Sequence, residues 1–260
     1  MEAPALNAQL EKYLRVSTFP LGIRSLAPGE PVPPKARRPL KDLGVKVAIC
    51  QTIGLARRYG WTLAFGGEEL SCPIAKAVFG FEERNDYYSS GALADGMYAS
   101  CREAGARFED ALAKYRPGEI SHVVVGPLGR IDFEPHTVLV YGNSAQVLRL
   151  LNACLFEKGG SLKSEFSGRG DCSDIVIRSG KTGEPQVILP CYGDRIFGMA
   201  GDEEMAFTFP FSAGDRVVKG LEGTHAGGVR YPIPVYMRSQ AEFPPSYREL
   251  ERLWGEPKKP

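Results

Sequence analysis

The sequence has little net charge and no long apolar run, and these two absences narrow the classes of protein that it can represent. Its 260 residues carry a formal net charge of +1, so no strong field favours nucleic acid or an anionic membrane as a partner. No apolar stretch approaches the roughly 18 residues that a membrane-spanning helix needs. Residues 1–4 lack a basic segment followed by an apolar one, so we expect no secretory signal and a cytoplasmic protein.

Common motifs for zinc and nucleotide binding are also missing. The six cysteines include no C-x-x-C pair, and the three histidines have no metal-like spacing. Residues 180–182 read Gly-Lys-Thr, as at the end of a Walker A loop, but Ile175 stands where that loop requires a glycine. We therefore expect residues 179–183 to form a hairpin turn rather than a phosphate-binding loop.

Residues 142–146 lie between a predicted strand and a predicted helix, where an α/β-hydrolase would carry its nucleophile. The closing glycine of G-x-S-x-G is absent, so Ser144 is expected to be an N-cap rather than a nucleophile. The free backbone N–H groups of a helix start can still bind an anion. Asn143 and Ser144 are therefore candidate residues for binding a small anionic molecule or cofactor.

The pattern of apolar residues predicts a mixed α+β fold, with a mixed sheet, a hairpin and flanking helices. We expect one domain at 1–245, with its core at about 19–210, followed by a capped helix and short tail at 246–260 that begins with a capping box at Ser246. The segments assigned to helices are 6–14, 45–58, 73–79, 96–115, 145–157 and 215–221. Those assigned to strands are 19–26, 61–65, 121–128, 137–141 and 205–209, with a hairpin formed by 175–178 and 186–189. Residues 224–229 are assigned to a loop.

Four of the six cysteines stand at positions where a thiol is more typical of a site than of a core. Cys72 precedes Pro73 at a helix start, where free N–H groups favour the thiolate. Cys172 is predicted to lie in a turn, and Cys191 at the end of a strand. Cys50 lies on the helix just upstream of Cys72, so the two cysteines could be neighbours.

The remaining two cysteines, Cys101 and Cys154, fall within predicted helices, and we expect both to be core residues. Arg195 follows Cys191 closely and adds a permanent cation. The end of the strand at 186–189 therefore indicates a site that includes Cys191 and Arg195.

Loop-borne thiolates bind iron–sulfur clusters or zinc. The leading hypothesis is a redox or metal-dependent protein in which four thiols hold a cluster or a metal ion, and Arg195 binds an anionic substrate or offsets negative charge. The ligands would be Cys50, Cys72, Cys172 and Cys191.

Three alternatives remain open. The first is a metal-free thiol enzyme with Cys191 or Cys72 as nucleophile. The second is a non-catalytic module in which Arg195 and the Asn143–Ser144 turn bind a small anion. The third is that the cysteines are unrelated buried residues. The sequence indicates neither a substrate nor an oligomeric state.

Several of these segments together resemble the uncharacterised archaeal conserved region (ArCR) family, a family of unknown function. The likeness covers residues 19–209, and its most specific parts are the Pro-Cys-x-Gly-Asp-Arg stretch at 190–195 and the first cysteine pair. The other matching segments are residues 50–61, 71–80, 138–150 and 171–172.

This resemblance implies no established activity. It does imply that four cysteines belong to the family pattern, and that Cys101 and Cys154 do not. The four are Cys50, Cys72, Cys172 and Cys191.

Overall fold

A six-stranded sheet forms the centre of the computed structural model, which describes residues 1–233 and 243–255. The strands are β1 Leu21–Leu26, β2 Leu63–Phe65, β3 His122–Pro127, β4 Thr137–Gly142, β5 Gln186–Ile188 and β6 Met205–Pro210. Their spatial order is β2-β3-β1-β4-β6-β5, and every adjacent pair is antiparallel. The predicted α+β class is confirmed, although the pairs among these six strands are all antiparallel and the predicted sheet was mixed.

Helices cover both faces of this sheet. The α- and π-helices of the described residues are α1 Ala3–Leu14, α2 Pro39–Leu43, α3 Ile49–Tyr59, α4 Pro73–Val78, α5 Asp86–Ser89, α6 Arg102–Ala111, α7 Ser144–Leu155, a π-helix Cys172–Arg178, α8 Ser179–Thr182, α9 Tyr192–Phe197, α10 Gly214–Ala226 and α11 Pro245–Gly255. None of the helices described is long and apolar enough to cross a membrane.

The central strand β4 separates two hydrophobic cores. All six of its residues are buried, and successive side chains of a strand point to opposite faces. Leu139 and Tyr141 pack into the core that contains α3, α4 and the π-helix. Val138 and Val140 pack on the other face, among side chains of α1, α7 and α10. The candidate site lies on the first of these faces.

The hairpin predicted for residues 175–189 is wrong. Residues 172–182 are helical, and β5 pairs with β6 instead, placing Gln186 opposite Thr208. Ile175 and its two successors are all buried, and an apolar run this short has no period that separates a strand from a buried helix. Cys172 therefore opens a π-helix rather than lying in a turn, and π-helical segments are rare and frequent at functional sites.

The helix predicted for residues 96–115 is shorter, because Gly96 has a φ of +75° that a right-handed helix excludes. The helix α6 starts at Arg102, and Cys101 occupies its N-cap position. Cys101 is exposed, so its assignment to the core is wrong. The assignment of Cys154 is confirmed, since that residue is 1% exposed.

Two further boundaries differ from the prediction. The helix α10 extends to Ala226, into the segment assigned to a loop. The helix α11 begins at Pro245, so Ser246 lies inside its first turn, and none of its residues is buried. Residues 256–260 of the predicted tail lie outside the described residues, and the division of the chain at 245 stays a prediction.

Candidate functional site

One cavity of about 580 Å³ opens on the α3 side of the sheet and is lined by all four candidate cysteines. We call it the cysteine cavity. Its wall is formed by α3, α4, the π-helix, α9 and the segment between α5 and α6. The sulfur-bearing residues are Cys50, Cys72, Cys172 and Cys191. Most of the remaining wall is apolar and includes Ile49, Ile53, Ile74, Leu93, Met97 and Ile196.

Each of the four thiols stands at the beginning of a helical segment. Cys72 and Cys191 are the N-cap residues of α4 and α9. Cys172 is the first residue of the π-helix, and Cys50 is the second residue of α3. The first N–H groups of a helix have no acceptor within the helix, and they favour negative charge nearby. The backbone around the cavity is thus arranged to stabilise thiolates.

Burial in the protein opposes this effect and holds three of the thiols in their protonated form. It raises the pKa of Cys50 to about 12 and that of Cys191 to about 11, with smaller contributions from nearby carboxylates. The pKa of Cys172 is also raised well above its ordinary value, first by burial and then by the charges of Cys72 and Cys191. Ionisation of a neighbouring thiol therefore raises the pKa of Cys172 further.

Two buried carboxyl groups also line the cavity. Asp171 is 4% exposed and Asp194 is 1% exposed. One oxygen of each is bonded: the backbone N–H of Cys191 donates to Asp171 Oδ2 over 2.6 Å, and Tyr141 donates its hydroxyl to Asp194 Oδ2, also over 2.6 Å. The other oxygen of each has no partner among the described residues. Burial raises the pKa of Asp171 to about 8 and raises that of Asp194 as well.

A buried network behind the cavity supports Asp194. The guanidinium of Arg57 lies 4.1 Å from the centre of the Tyr141 ring and donates to Glu204 over 2.8 Å. Arg57 is fully buried, so its charge depends on the Glu204 carboxylate for compensation. This arrangement fixes the Tyr141 ring, and with it the hydroxyl that holds the Asp194 carboxyl.

Close backbone packing brings α3 and α9 together beside the cavity. A Cβ on Gly54 would lie 2.8 Å from the carbonyl oxygen of Gly198. A Cβ on Gly198 would collide with Asp194 Oδ1 and would lie 3.0 Å from the carbonyl oxygen of Cys50. Glycine at these two positions therefore permits the contact that sets Cys50 and Asp194 side by side.

The arginine that lines the cavity is Arg169, and Arg195 is not among the lining residues. Arg195 donates to the carbonyl oxygen of Gly201 over 2.7 Å and lies 3.7 Å from Asp202. The structure therefore places Arg195, the cation predicted for the site, outside the lining of the cysteine cavity. Arg169 was missed because it lies in a glycine-rich segment without regular periodicity, and its position directly before Gly170-Asp171-Cys172 was the available signal.

Asn143 and Ser144 also lie outside the cavity lining. Asn143, rather than Ser144, is the N-cap of α7: its side chain accepts a hydrogen bond from the N–H of Gln146 over 3.0 Å. The expectation that Ser144 is the cap is wrong by one residue. Asn143 Nδ2 also donates to the hydroxyl of Tyr231 over 3.2 Å, so its amide has a structural role. Anion binding at this turn stays a prediction.

The side chains of the cavity, as the structure describes them, are not arranged as the ligands of a metal ion. Across residues 1–233 and 243–255, no group of three or more His, Cys, Asp or Glu side chains is placed to hold a metal ion. All six cysteines are free thiols. Gly170 and Gly193 lie beside lining sulfurs: a Cβ on either would be 3.8–3.9 Å from Cys172 or Cys191, which is ordinary van der Waals contact.

Comparison with known proteins identifies relatives without an assigned activity. The sequence model of the family described as DUF169, uncharacterised ArCR, matches residues 9–220. The uncharacterized protein MJ0308 of Methanocaldococcus jannaschii is 32% identical over 121 residues. That alignment covers 46% of this chain and 52% of the relative, so the chain spans about half the length of this curated relative. No solved structure matches the chain.

Proposed function

The chain belongs to the uncharacterised ArCR family, and we propose that its cysteine cavity holds an iron–sulfur cluster in a redox protein. One observation carries the proposal: four thiols from segments between residues 50 and 191 line a single cavity. Iron–sulfur clusters are typically held by four cysteine thiolates. The ligands would be Cys50, Cys72, Cys172 and Cys191.

A cluster makes different demands on the positions of its ligands than a single metal ion does. A tetrahedral zinc site needs its four ligands about 2.3 Å from one point, and the described residues contain no such group. A cluster contains several irons, so its thiolates do not all have to meet at one atom. Each of the four helix starts would supply one thiolate ligand to the cluster.

Metal binding would replace the protons that burial keeps on the thiols. Three of them have raised pKa values because they are buried and because thiolates would repel one another. Bound metal deprotonates cysteine ligands and offsets that repulsion. The N–H groups at the helix starts would donate to the sulfurs, which is one way in which a protein adjusts the reduction potential of a cluster.

The function that follows is electron transfer or a redox reaction in the cytoplasm. When bound, the cluster would supply one-electron chemistry. The chain would hold the cluster through its thiols and shield it from water with the apolar wall. Exclusion of water lowers the local dielectric constant and shifts the potential of such a group.

A metal-free thiol enzyme is supported less well. The nucleophile in such an enzyme is the thiolate, and burial raises the pKa of Cys191 to about 11. A catalytic role for Cys191 therefore requires a bound cation or another change that lowers its pKa. The role of Cys191 as a catalytic residue stays a prediction.

The proposal is tested by anaerobic reconstitution of the full-length protein with ferrous iron and sulfide. We expect the wild type to retain iron and acid-labile sulfide, and each of four Cys→Ser variants, at positions 50, 72, 172 and 191, to lose most of both. Cys101→Ser is the matched control, because Cys101 is exposed and lies outside the cavity lining. A wild type that binds no iron, or a control that loses as much as the four variants, would contradict the proposal.

A further inference from the structure

The cysteine cavity is lined by one arginine that is buried and fixed by its neighbours. Two of its three guanidinium nitrogens donate hydrogen bonds to described residues. Arg169 is 4% exposed and lines the cavity. Its Nε donates to Glu109 Oε1 over 3.1 Å, and its Nη2 donates to the same oxygen. The guanidinium also lies 4.7 Å from the centre of the Tyr98 ring, which is itself part of the wall. One edge of the guanidinium is thus occupied and one face is covered.

The remaining nitrogen, Nη1, is available for a ligand. It makes no hydrogen bond to any residue within 1–233 or 243–255, although the other two nitrogens do. Nη1 is absent from the buried atoms that lack a hydrogen-bond partner, so it is in contact with open space. Because Arg169 lines the cavity, we infer that Nη1 faces the cavity and can donate a hydrogen bond to a ligand there.

A guanidinium placed in this way is suited to a carboxylate or a similar anion. Its planar donors match the geometry of carboxylate oxygens, and charge-assisted hydrogen bonds are the stronger ones. Glu109 and Tyr98 fix the side chain before any ligand arrives, so little side-chain entropy is lost on binding.

The apolar wall beside Arg169 indicates the chemical character of the rest of the ligand. Leu93, Met97 and Tyr98 belong to the segment that carries the stacking ring, and they line the cavity together with Ile74. A volume of about 580 Å³ lies within the range of small-molecule sites, which are mostly apolar with few polar groups. We propose that the cavity binds a small organic acid, with its anionic group on Arg169 and its apolar part against this segment. This adds a ligand class to the proposed function but rests on Arg169, not on the thiols.

The test compares acids with their neutral amides on the full-length, anaerobically purified protein. The probe pairs are hexanoate and hexanamide, benzoate and benzamide, and phenylacetate and phenylacetamide, measured by isothermal titration calorimetry. We expect at least one acid to bind, with its amide at least tenfold weaker. Equal binding of acid and amide in every pair, or no binding by any acid, overturns the inference.

Variants identify the residue responsible. Arg169→Gln alone leaves Glu109 buried without its partner and could prevent folding, so the double variant Arg169→Gln with Glu109→Gln removes both charges together. We expect it to bind the acid at least tenfold more weakly than the wild type. Arg195→Gln is the control and should bind as the wild type does, because Arg195 is not among the lining residues. Unchanged binding by the double variant overturns the assignment.

Iron analysis of the same samples keeps the two proposals separate. Iron-free protein that binds the acid through Arg169 contradicts the cluster alone. Iron-loaded protein that binds none of the acids contradicts the ligand class alone.

Discussion

The buried carboxyl of Asp171 should make the metal-free protein less stable as the pH rises. Its ordinary pKa is 3.8, and burial raises the pKa to about 8 in the folded chain. Between these two values the unfolded chain has lost this proton and the folded chain retains it. Stability falls with pH wherever the unfolded state binds fewer protons, so the group favours folding at low pH and opposes it as the pH rises towards 8.

The size of the effect follows from the difference in bound protons. One proton of difference changes the free energy of unfolding by about 1.4 kcal/mol per pH unit. Over the two units from pH 5 to pH 7, where the difference is close to one proton, Asp171 should lower stability by about 2–3 kcal/mol. Asp171→Asn removes this contribution, while the amide oxygen still accepts the hydrogen bond from the N–H of Cys191.

The assay is urea unfolding of chelator-treated, full-length protein, followed by circular dichroism at pH 5, 6 and 7. The stability of Asp171→Asn relative to the wild type should increase by about 2–3 kcal/mol from pH 5 to pH 7. Asp132→Asn, at an exposed position, should show no such growth. A difference between Asp171→Asn and the wild type that stays constant with pH would refute the reasoning about the buried carboxyl.

The remaining predictions concern the support of the cavity. Gly198→Ala introduces a Cβ that collides with Asp194 Oδ1, so it should destabilise the protein by about 1–3 kcal/mol. The control is Gly193→Ala, whose Cβ would lie 3.8 Å from the nearest sulfur. It should lower the free energy of unfolding clearly less in the same urea titration. Tyr141→Phe removes the 2.6 Å hydrogen bond to Asp194 and leaves both carboxyl oxygens unpartnered, which should cost about 1–3 kcal/mol. Equal midpoints for Gly198→Ala and Gly193→Ala, or for Tyr141→Phe and the wild type, would contradict the packing described.

The four cysteines selected from the sequence line one cavity. The proline directly after Cys72 indicates the helix start that the structure shows, whereas the turn predicted for Cys172 is a π-helix. The two cysteines placed outside this group do lie outside the cavity lining, although Cys101 is exposed rather than packed in the core. The strands β3, β4 and β6 were also predicted within one residue of their observed bounds.

The parts that sequence reasoning missed depend on tertiary contacts. The apolar run from Ile175 is compatible with a strand or a buried helix, and only its packing against the sheet decides between them. Arg195 is close to Cys191 in sequence, but α9 directs its side chain to Gly201. Arg169 reaches the cavity because Glu109 and Tyr98, which are distant in sequence, hold its guanidinium.

The central claim is that four thiols hold one iron–sulfur cluster, and its most direct test is an anomalous difference map at the iron edge from anaerobically grown crystals. The account predicts one strong iron peak inside the cysteine cavity, within bonding distance of Cys50, Cys72, Cys172 and Cys191. Iron at another position, or an iron-free cavity in protein reconstituted with iron and sulfide, would contradict it.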